Sequence, residues 1–469
     1  MISAVEIESK LWQIIDVLRE KYALGESVDC VLKLLLFKRL SDQSCTEERT
    51  RLSVPEEAHW SVIQRKRRDL AQKLSEALTV IEETNSNLRG VFTNSEINFW
   101  TRFDDETLLR IIKLFSELDL SNENFDDLNE LGKAGENFIE KSAYLEGIAG
   151  IYTPRQLTQM MVELINIQQE TSIYDPACGS GEFLAEAVKF IKKIGGNLSQ
   201  VNIYGQNTDV HKYVTAKTNL ILHGIDNPDI RIGNAILEPC FVEDGDLRLF
   251  DVVLSNPPFN LKYLPMDLMQ VNYPSRFSYG VPSNGIGDFL FIQHILSSLN
   301  NTGKAAVLLP RGVLFREGDE GEIRRRIIEA DLIEAIIELA PKLFYYTSIP
   351  VVIVIFNRRK PNKNKILFID ASREYEAVKG HNLLHCKHTD HIVSTYRSFS
   401  DEEGFAKIET VGKIADNKYN LSVNCYVIPP ANEKIDLTME VSKLHQLEAE
   451  RSELEAKIDY YLRALGIKL

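Results

Sequence analysis

Asn256, Pro257, Pro258 and Phe259 stand together at the end of an apolar run, Phe250 to Ser255, and their types suit work on a planar ring that carries an amino group. An exocyclic ring nitrogen is a poor nucleophile because its lone pair is delocalised into the ring. The Asn256 side-chain oxygen and the free carbonyl of Pro257 could accept both of its hydrogens and draw it toward a tetrahedral, more reactive geometry. Phe259 offers a flat face for stacking. Pro257 and Pro258, with fixed φ and no N–H, stiffen the loop. An ordinary strand followed by a Pro-Pro turn fits the same four residues, so the rest of the chain has to decide.

Phe250 to Leu254 reads as a buried parallel strand, and open parallel sheets bind ligands at the carboxyl ends of such strands. A second short strand, Ser172 to Asp175, runs into Pro176-Ala177-Cys178-Gly179-Ser180-Gly181 and a helix from Glu182 to Lys192. Gly179 and Gly181 allow backbone to approach a ligand closely, and Asp175 at the strand end can receive a donor or a cation. Phe183 and Leu184 follow, so the spacing is not G-x-G-x-x-G and argues against a dinucleotide. Ahead of this unit, Thr153 is placed to cap a helix whose first residue is Pro154. Further strands are expected at 201–205, 229–232, 304–309, 332–339 and 349–356, with helices between them. The pattern predicts a doubly wound α/β sheet of seven strands, the last antiparallel because the link 341–348 leaves little room for a crossover helix.

Around this sheet the chain divides into an amino-terminal helical domain at 1–141, the catalytic α/β domain at 142–375, a post-catalytic segment at 376–430 and a carboxyl-terminal helix at 431–469. A capping box, Ser3 with Glu6, opens the helical domain. The long loop Asn260 to Gly287 carries Lys262, Tyr263, Arg276, Phe277 and Tyr279, aromatic and cationic side chains suited to covering a substrate. His381, His385, Cys386, His388 and His391 match no zinc spacing and are read as a solvated segment rather than a metal site. Leu444, Leu447, Leu454, Ile458, Tyr461 and Leu465 give the terminal helix a stripe for docking a partner.

The 469 residues, with 44% hydrophobic and 26% charged, are those of a soluble globular protein. Six scattered cysteines, no signal pattern and no apolar run of membrane-spanning length point to the cytoplasm. A net charge of −14 argues against a chain that wraps DNA unaided. Basic clusters at Arg65 to Arg68, Arg324 to Arg326 and Arg358 to Lys365 read as solvated faces, so a DNA substrate would need a partner to supply grip.

With Asp175 to Phe183 and Asn256 to Phe259 both placed, the chain resembles the modification (M) subunits of type I restriction-modification systems, which are adenine-N6 DNA methyltransferases. Tyr152-Thr153-Pro154-Arg155, Asn219 to Gly224, Gly287 to His294, Leu309 to Phe315 and Leu343-Phe344-Tyr345 extend the resemblance over nearly the whole chain. It implies an S-adenosylmethionine-dependent fold, with the cofactor held by Tyr152, Thr153 and Pro154 and by Asp175, Ala177, Gly179, Ser180 and Gly181. It implies that Asn256 and the Pro257 carbonyl receive the amino group of an adenine flipped out of duplex DNA, with Phe259 stacked on the base. It also implies a specificity (S) subunit that reads the sequence, a second copy of this chain and a restriction (R) subunit. Two positions depart from the family: Asn207 stands where an acidic residue meets the cofactor ribose, and Asn234 where Asp approaches the cofactor adenine. Neutral amides there imply a weaker hold on the cofactor unless Asp209 substitutes. Two other readings differ in class. One is a catalytically weak scaffold subunit of a defence complex. The other is a protein glutamine methyltransferase, whose amide target is similarly planar but which usually carries Tyr at the fourth position and lacks the helical domain.

Overall fold

A computed structural model describes residues 2–428 except 47–51, 94–99, 126–128, 146–151, 345–348 and 379, together with part of 441–458. Two compact units emerge, 1–427 and 428–469. The first begins with α1 (Ala4–Leu18), α2 (Leu24–Thr46), α3 (Trp60–Ile63), α4 (Leu70–Thr84), α5 (Asp105–Phe115) and α6 (Asn129–Leu145). The capping box forms as expected: the Glu6 N–H donates to Ser3 Oγ and the Ser3 N–H to Glu6 Oε2 at 2.8 Å. Behind it Ile7, Leu11, Ile14, Ile15 and Leu18 recur at helical spacing and are all buried.

The α/β part continues with α7 (Arg155–Ile165), β1 (Ser172–Asp175), α8 (Glu182–Lys193), β2 (Asn202–Asn207), α9 (Val210–Leu222), β3 (Asp229–Ile232), a small hairpin of β4 (Val242–Glu243) and β5 (Asp246–Leu247), and β6 (Phe250–Ser255). Then come α10 (Pro265–Met269), α11 (Asp288–Ser297), β7 (Leu299–Pro310), α12 (Asp319–Glu329), β8 (Ile333–Leu339), β9 (Val351–Asn357) and β10 (Lys365–Ala371). The unit closes with the hairpin β11 (Glu376–Val378) and β12 (His381–Leu383), α13 (Cys386–Ser398), β13 (Ala406–Thr410) and α14 (Val411–Asp416).

One sheet orders its strands β13-β10-β8-β9-β7-β6-β1-β2-β3. The strand expected to run antiparallel, β9, does so between β7 and β8. The sheet has nine strands rather than seven, because β10 adds parallel to β8 and β13 returns antiparallel to β10. The stretch after 375 is therefore not a separate solvated segment. Its His391 lies between Glu374 and Glu402 and stacks on Phe405 at 3.9 Å between ring centres. Period-2 alternation divides the core between the two faces. Val252, Leu254, Ala306 and Leu308 join the core shared with the helical domain, while Val253, Ala305, Val307 and Leu309 pack on the opposite face.

No described helix is long and apolar enough to cross a membrane. Arg324, read as part of a solvated basic face, is buried and donates to the carbonyls of Val313, Arg316 and Tyr419. In the second unit the described residues from Val441 to Ile458 are helical, and Leu444, Leu447, Leu454 and Ile458 of the expected stripe are exposed. Tyr461 and Leu465 lie outside the described residues, as does Tyr345.

Candidate active site

The site is assembled at the carboxyl ends of four adjacent strands. β1 and β6 are parallel neighbours, with Ile173 beside Val252 and Tyr174 beside Val253, so their last residues, Asp175 and Ser255, end side by side. Ser255 Oγ donates to Asp175 Oδ1 at 2.7 Å, and the Ala177 N–H donates to the same oxygen at 3.0 Å. Among the described residues no cation faces Asp175, and burial pushes its carboxyl up to about 7.

The turn after Asp175 places Gly179 at φ +54° and Gly181 at φ +81°, a left-handed geometry that suits glycine. Gly181 packs on α9, where an added Cβ would make ordinary contact with Leu220 at 3.5 Å, so its left-handed φ is the reason for glycine there. Asn219 Nδ2 donates to the Ser180 carbonyl at 2.9 Å and ties the turn down from the same helix.

Asn207, at the end of β2, is tied to the glycine turn. Its side chain is buried, and both ends of the amide are used within the protein. Oδ1 accepts the Gly179 N–H at 3.0 Å, while Nδ2 donates to the Gly179 carbonyl at 2.9 Å and to Cys178 Sγ at 3.2 Å. These bonds brace the glycine turn. A carboxylate could not make both halves of that brace, since it has no donor. Asp209 is likewise committed: it is the N-cap of α9, its Oδ1 accepting from the His211 and Lys212 N–H groups at 2.7 and 3.1 Å. Asn234 uses its Oδ1 to cap the turn after β3, accepting from Ile236 and Leu237 at 2.9 and 3.2 Å. The Tyr263 hydroxyl reaches that oxygen at 3.5 Å.

Asn256 leaves β6 half-buried, followed by buried Pro257, exposed Pro258 and half-buried Phe259. Its Nδ2 donates to Thr153 Oγ1 at 2.9 Å. That bond uses the donor end of the amide and leaves Oδ1 as its acceptor end. Thr153 does not cap α7 as expected, because its hydroxyl serves Asn256; Pro154 occupies the cap position without a side-chain bond. Behind Phe259, Asn260 takes φ +53°, and its N–H donates to Asp288 Oδ1 at 2.8 Å. Arg316 holds both, donating to Asp288 Oδ2 at 2.9 Å and to Asn260 Oδ1 at 2.8 Å. Neither Asp288 nor Arg316 was singled out from sequence; an Asp at a helix start and an Arg beyond a distant strand carry no local signal of this contact.

The loop 260–287 is partly internal. Tyr263 and Phe277 pack with Ala235, Ile236, Leu290 and Phe291, and Ala177 lies against the same cluster. Arg276, read as substrate-facing, is buried and donates to the Ala235 carbonyl and to His294 Nδ1. Lys262, Leu264, Met266 and Met269 remain on the outer face. The expected residues Thr153, Asp175, Ala177, Gly179, Ser180, Gly181, Asn207, Asn234 and Asn256 thus meet at the carboxyl ends of these strands through these bonds and packings, and Tyr152, next to Thr153, is buried.

The family profile described as N-6 DNA Methylase matches residues 126–434, and that described as HsdM N-terminal domain matches residues 7–115. Among curated proteins the chain is 32% identical over 418 residues to the type I restriction enzyme MjaVII methylase subunit of Methanocaldococcus jannaschii, covering 85% of this chain and 71% of that protein. It is 30% identical to the HindI methylase subunit of Haemophilus influenzae, covering 85% and 93%. Among solved structures, a type I restriction-modification methyltransferase subunit from Streptococcus thermophilus superposes with a TM-score of 0.77 at 24% identity, covering 91% of this chain and all of that one.

Proposed function

The chain belongs to the N-6 DNA methylase family as a modification subunit of the type I restriction-modification kind, and we propose that the site described above holds its cofactor and its target base. An S-adenosylmethionine-dependent transfer to adenine N6 is the activity of this family. When bound, the cofactor supplies an electrophilic methyl group. The residues present suit it. Gly179 in the turn is half-buried, and the acidic Asp175 just before it suits a ligand with a cationic amino-acid end. Ala177 and Tyr263, packed in one cluster, and Asn234, reached by the Tyr263 hydroxyl, are the residues to meet the purine. Tyr152, Thr153 and Pro154 close the other side. Asn207 acts on the cofactor indirectly, through the turn it braces.

Asn256 carries the reading, because Thr153 takes the donor end of its amide and leaves the acceptor end for a target. The target adenine is flipped from the duplex. Asn256 Oδ1 and the Pro257 carbonyl accept its amino hydrogens, and Phe259 stacks on the ring. Thr153, Asp288 and Arg316 keep that constellation in place before substrate arrives, the condition under which such acceptors act most strongly. The acidic chain takes its DNA as part of an assembly with an S subunit, a second M copy and, for cleavage, an R subunit. The deciding experiment reconstitutes the chain with its S subunit and measures labelled methyl incorporation into duplex DNA, followed by nucleoside analysis. N6-methyladenine is expected; incorporation only at cytosine, or into protein alone, would overturn the assignment.

The Asn207 brace reverses the expectation that an acid here tightens binding. Asn207→Asp removes the donors to the Gly179 carbonyl and Cys178 and sets a negative charge against that carbonyl. A loss of about 1–2 kcal/mol, or roughly 5- to 30-fold in S-adenosylmethionine affinity, is expected. Calorimetric titration checks it, and tighter binding by the acidic variant would restore a direct ribose role.

A further inference from the structure

Glu182 opens α8 directly after Gly181, and nothing in the family pattern assigns it a task. Its Oε1 accepts from Ser180 Oγ. Its Oε2 lies over the glycine turn, 3.5 Å from where a Cβ on Gly179 would stand. The titratable groups that face it come from every neighbouring element: Tyr152 ahead of α7, Asp175 at the end of β1, Cys178 in the turn, Glu136 on α6 and Lys212 on α9. Lys212 is the cation in this set, and no ion pair joins it to Glu182. Asp175, buried before the turn, and Glu182, half-buried over it, are thus two carboxylates near the glycines, and among the described residues neither has an ion pair with a cation. Carboxylates are seldom enclosed this way unless something positive completes them.

We propose that Glu182 belongs to the cofactor site and is the anionic partner of the positively charged methionine end of S-adenosylmethionine. The inference rests on reading the Gly179–Gly181 turn as the cofactor's, and it adds a specificity-determining residue to that site. Tyr152 and the turn, both expected from sequence to hold the cofactor, both lie within electrostatic reach of Glu182. The cation is either the α-ammonium or the sulfonium, and both lie on the amino-acid side of the molecule.

A proton linkage follows. Burial pushes the Glu182 carboxyl up to about 7, so below that pH the empty site holds it protonated. A cation arriving beside it favours the carboxylate and expels the proton. Affinity therefore rises with pH and levels off above the free-site value, falling about tenfold from pH 8 to pH 6 for each acid that gives up a proton. S-adenosylmethionine should correspondingly raise the thermal midpoint more at pH 8 than at pH 6.

The test is calorimetric titration of the full chain with S-adenosylmethionine at pH 6, 7 and 8, in buffers of different ionisation heat, so that released protons are counted. Glu182→Gln is expected to bind about tenfold more weakly at pH 8 and to release one proton fewer at pH 6 than wild type, while Glu182→Asp keeps the linkage. Asp175→Asn separates the contribution of the second acid. Binding of 5′-methylthioadenosine, which has neither cation, should not change in Glu182→Gln. S-adenosylhomocysteine keeps the ammonium and lacks the sulfonium: a loss shared by both ligands assigns the ammonium, and a loss confined to S-adenosylmethionine assigns the sulfonium. Unchanged affinity and proton count in Glu182→Gln, or an equal loss for 5′-methylthioadenosine, would overturn the proposal. Should that variant fail to fold, wild-type binding without proton release below pH 7 would overturn it alone. If wild type bound 5′-methylthioadenosine and S-adenosylmethionine nowhere near the turn, as judged by Gly179→Val binding both normally, the cofactor-site reading itself would fail first.

Discussion

Asn256→Ala is expected to lower methyl transfer by about 10²-fold or more, the scale seen when one preorganised acceptor or donor is removed from a reacting centre. Cofactor affinity should stay close to wild type, because Asn256 faces the target side and its bond to the cofactor loop is a single contact, Nδ2 to Thr153 Oγ1 at 2.9 Å. Removing the amide takes away the acceptor for the amino group and leaves the Pro257 carbonyl to act by itself. Thr153→Val is the informative companion. It keeps Asn256 but frees its amide to rotate, so the rate should fall by less than in Asn256→Ala. Single-turnover rates on a duplex carrying the target, set beside equilibrium titration of cofactor, separate the two effects. Near-normal turnover by Asn256→Ala would remove this residue from the reaction.

The architecture was legible where local pattern and global position agree. β6 is an apolar run ended by a polar residue and prolines, and β1 is a short strand ended by Asp and a glycine turn; each signal sits within ten residues. β9 was read as antiparallel from the length of its connection alone, since a parallel return needs a crossover that residues 341–348 cannot supply. β13 escaped because it is a five-residue edge strand with Lys407 and Glu409 in it, and its identity depends on β10 being there to pair with. Side-chain direction was the larger gap. Asn207 occupies a strand-end position from which a side chain can reach either the ligand or the turn, and only the placement of Gly179 decides between them. Arg276 was read by its charge as facing substrate, whereas the carbonyls of the turn after Asn234 take it inward. Such choices are made by neighbours distant in sequence, which periodicity and motif spacing do not contain.

Glu136→Ala should be the most destabilising single change outside the sheet core. Glu136, on α6, is buried, and three basic groups converge on it from the α/β part. Arg155 Nη2 is at 2.5 Å, Lys189 Nζ at 2.9 Å and His223 Nε2 at 3.2 Å. Gly132, one turn earlier, is what lets His223 come so close, since a Cβ there would lie 2.2 Å from its Nδ1. Burial alone would raise the Glu136 carboxyl, yet His223, Lys189 and Arg155 together hold it well below its ordinary 4.5. Removing one member of a buried charge cluster costs about 3–5 kcal/mol in general. Here Lys189 keeps Glu186 as a partner and Arg155 keeps part of its side chain in water, which brings the expectation to about 2–3 kcal/mol. The sign of the pH dependence follows from the lowered value. The Glu136 contribution is complete above the unfolded-state value near 4.5 and is lost as pH falls from there toward the lowered folded value, so the gap between wild type and Glu136→Gln should hold from pH 7 to about pH 5 and narrow on acidification below about pH 4.5. Denaturant midpoints across that range measure it. Because Arg155 follows the Thr153 that orients Asn256, the same variant should turn over more slowly at saturating cofactor even where it is fully folded. A Glu136→Ala protein with a wild-type midpoint and wild-type rate would mean that the helical domain and the active-site loop are not coupled through this carboxylate.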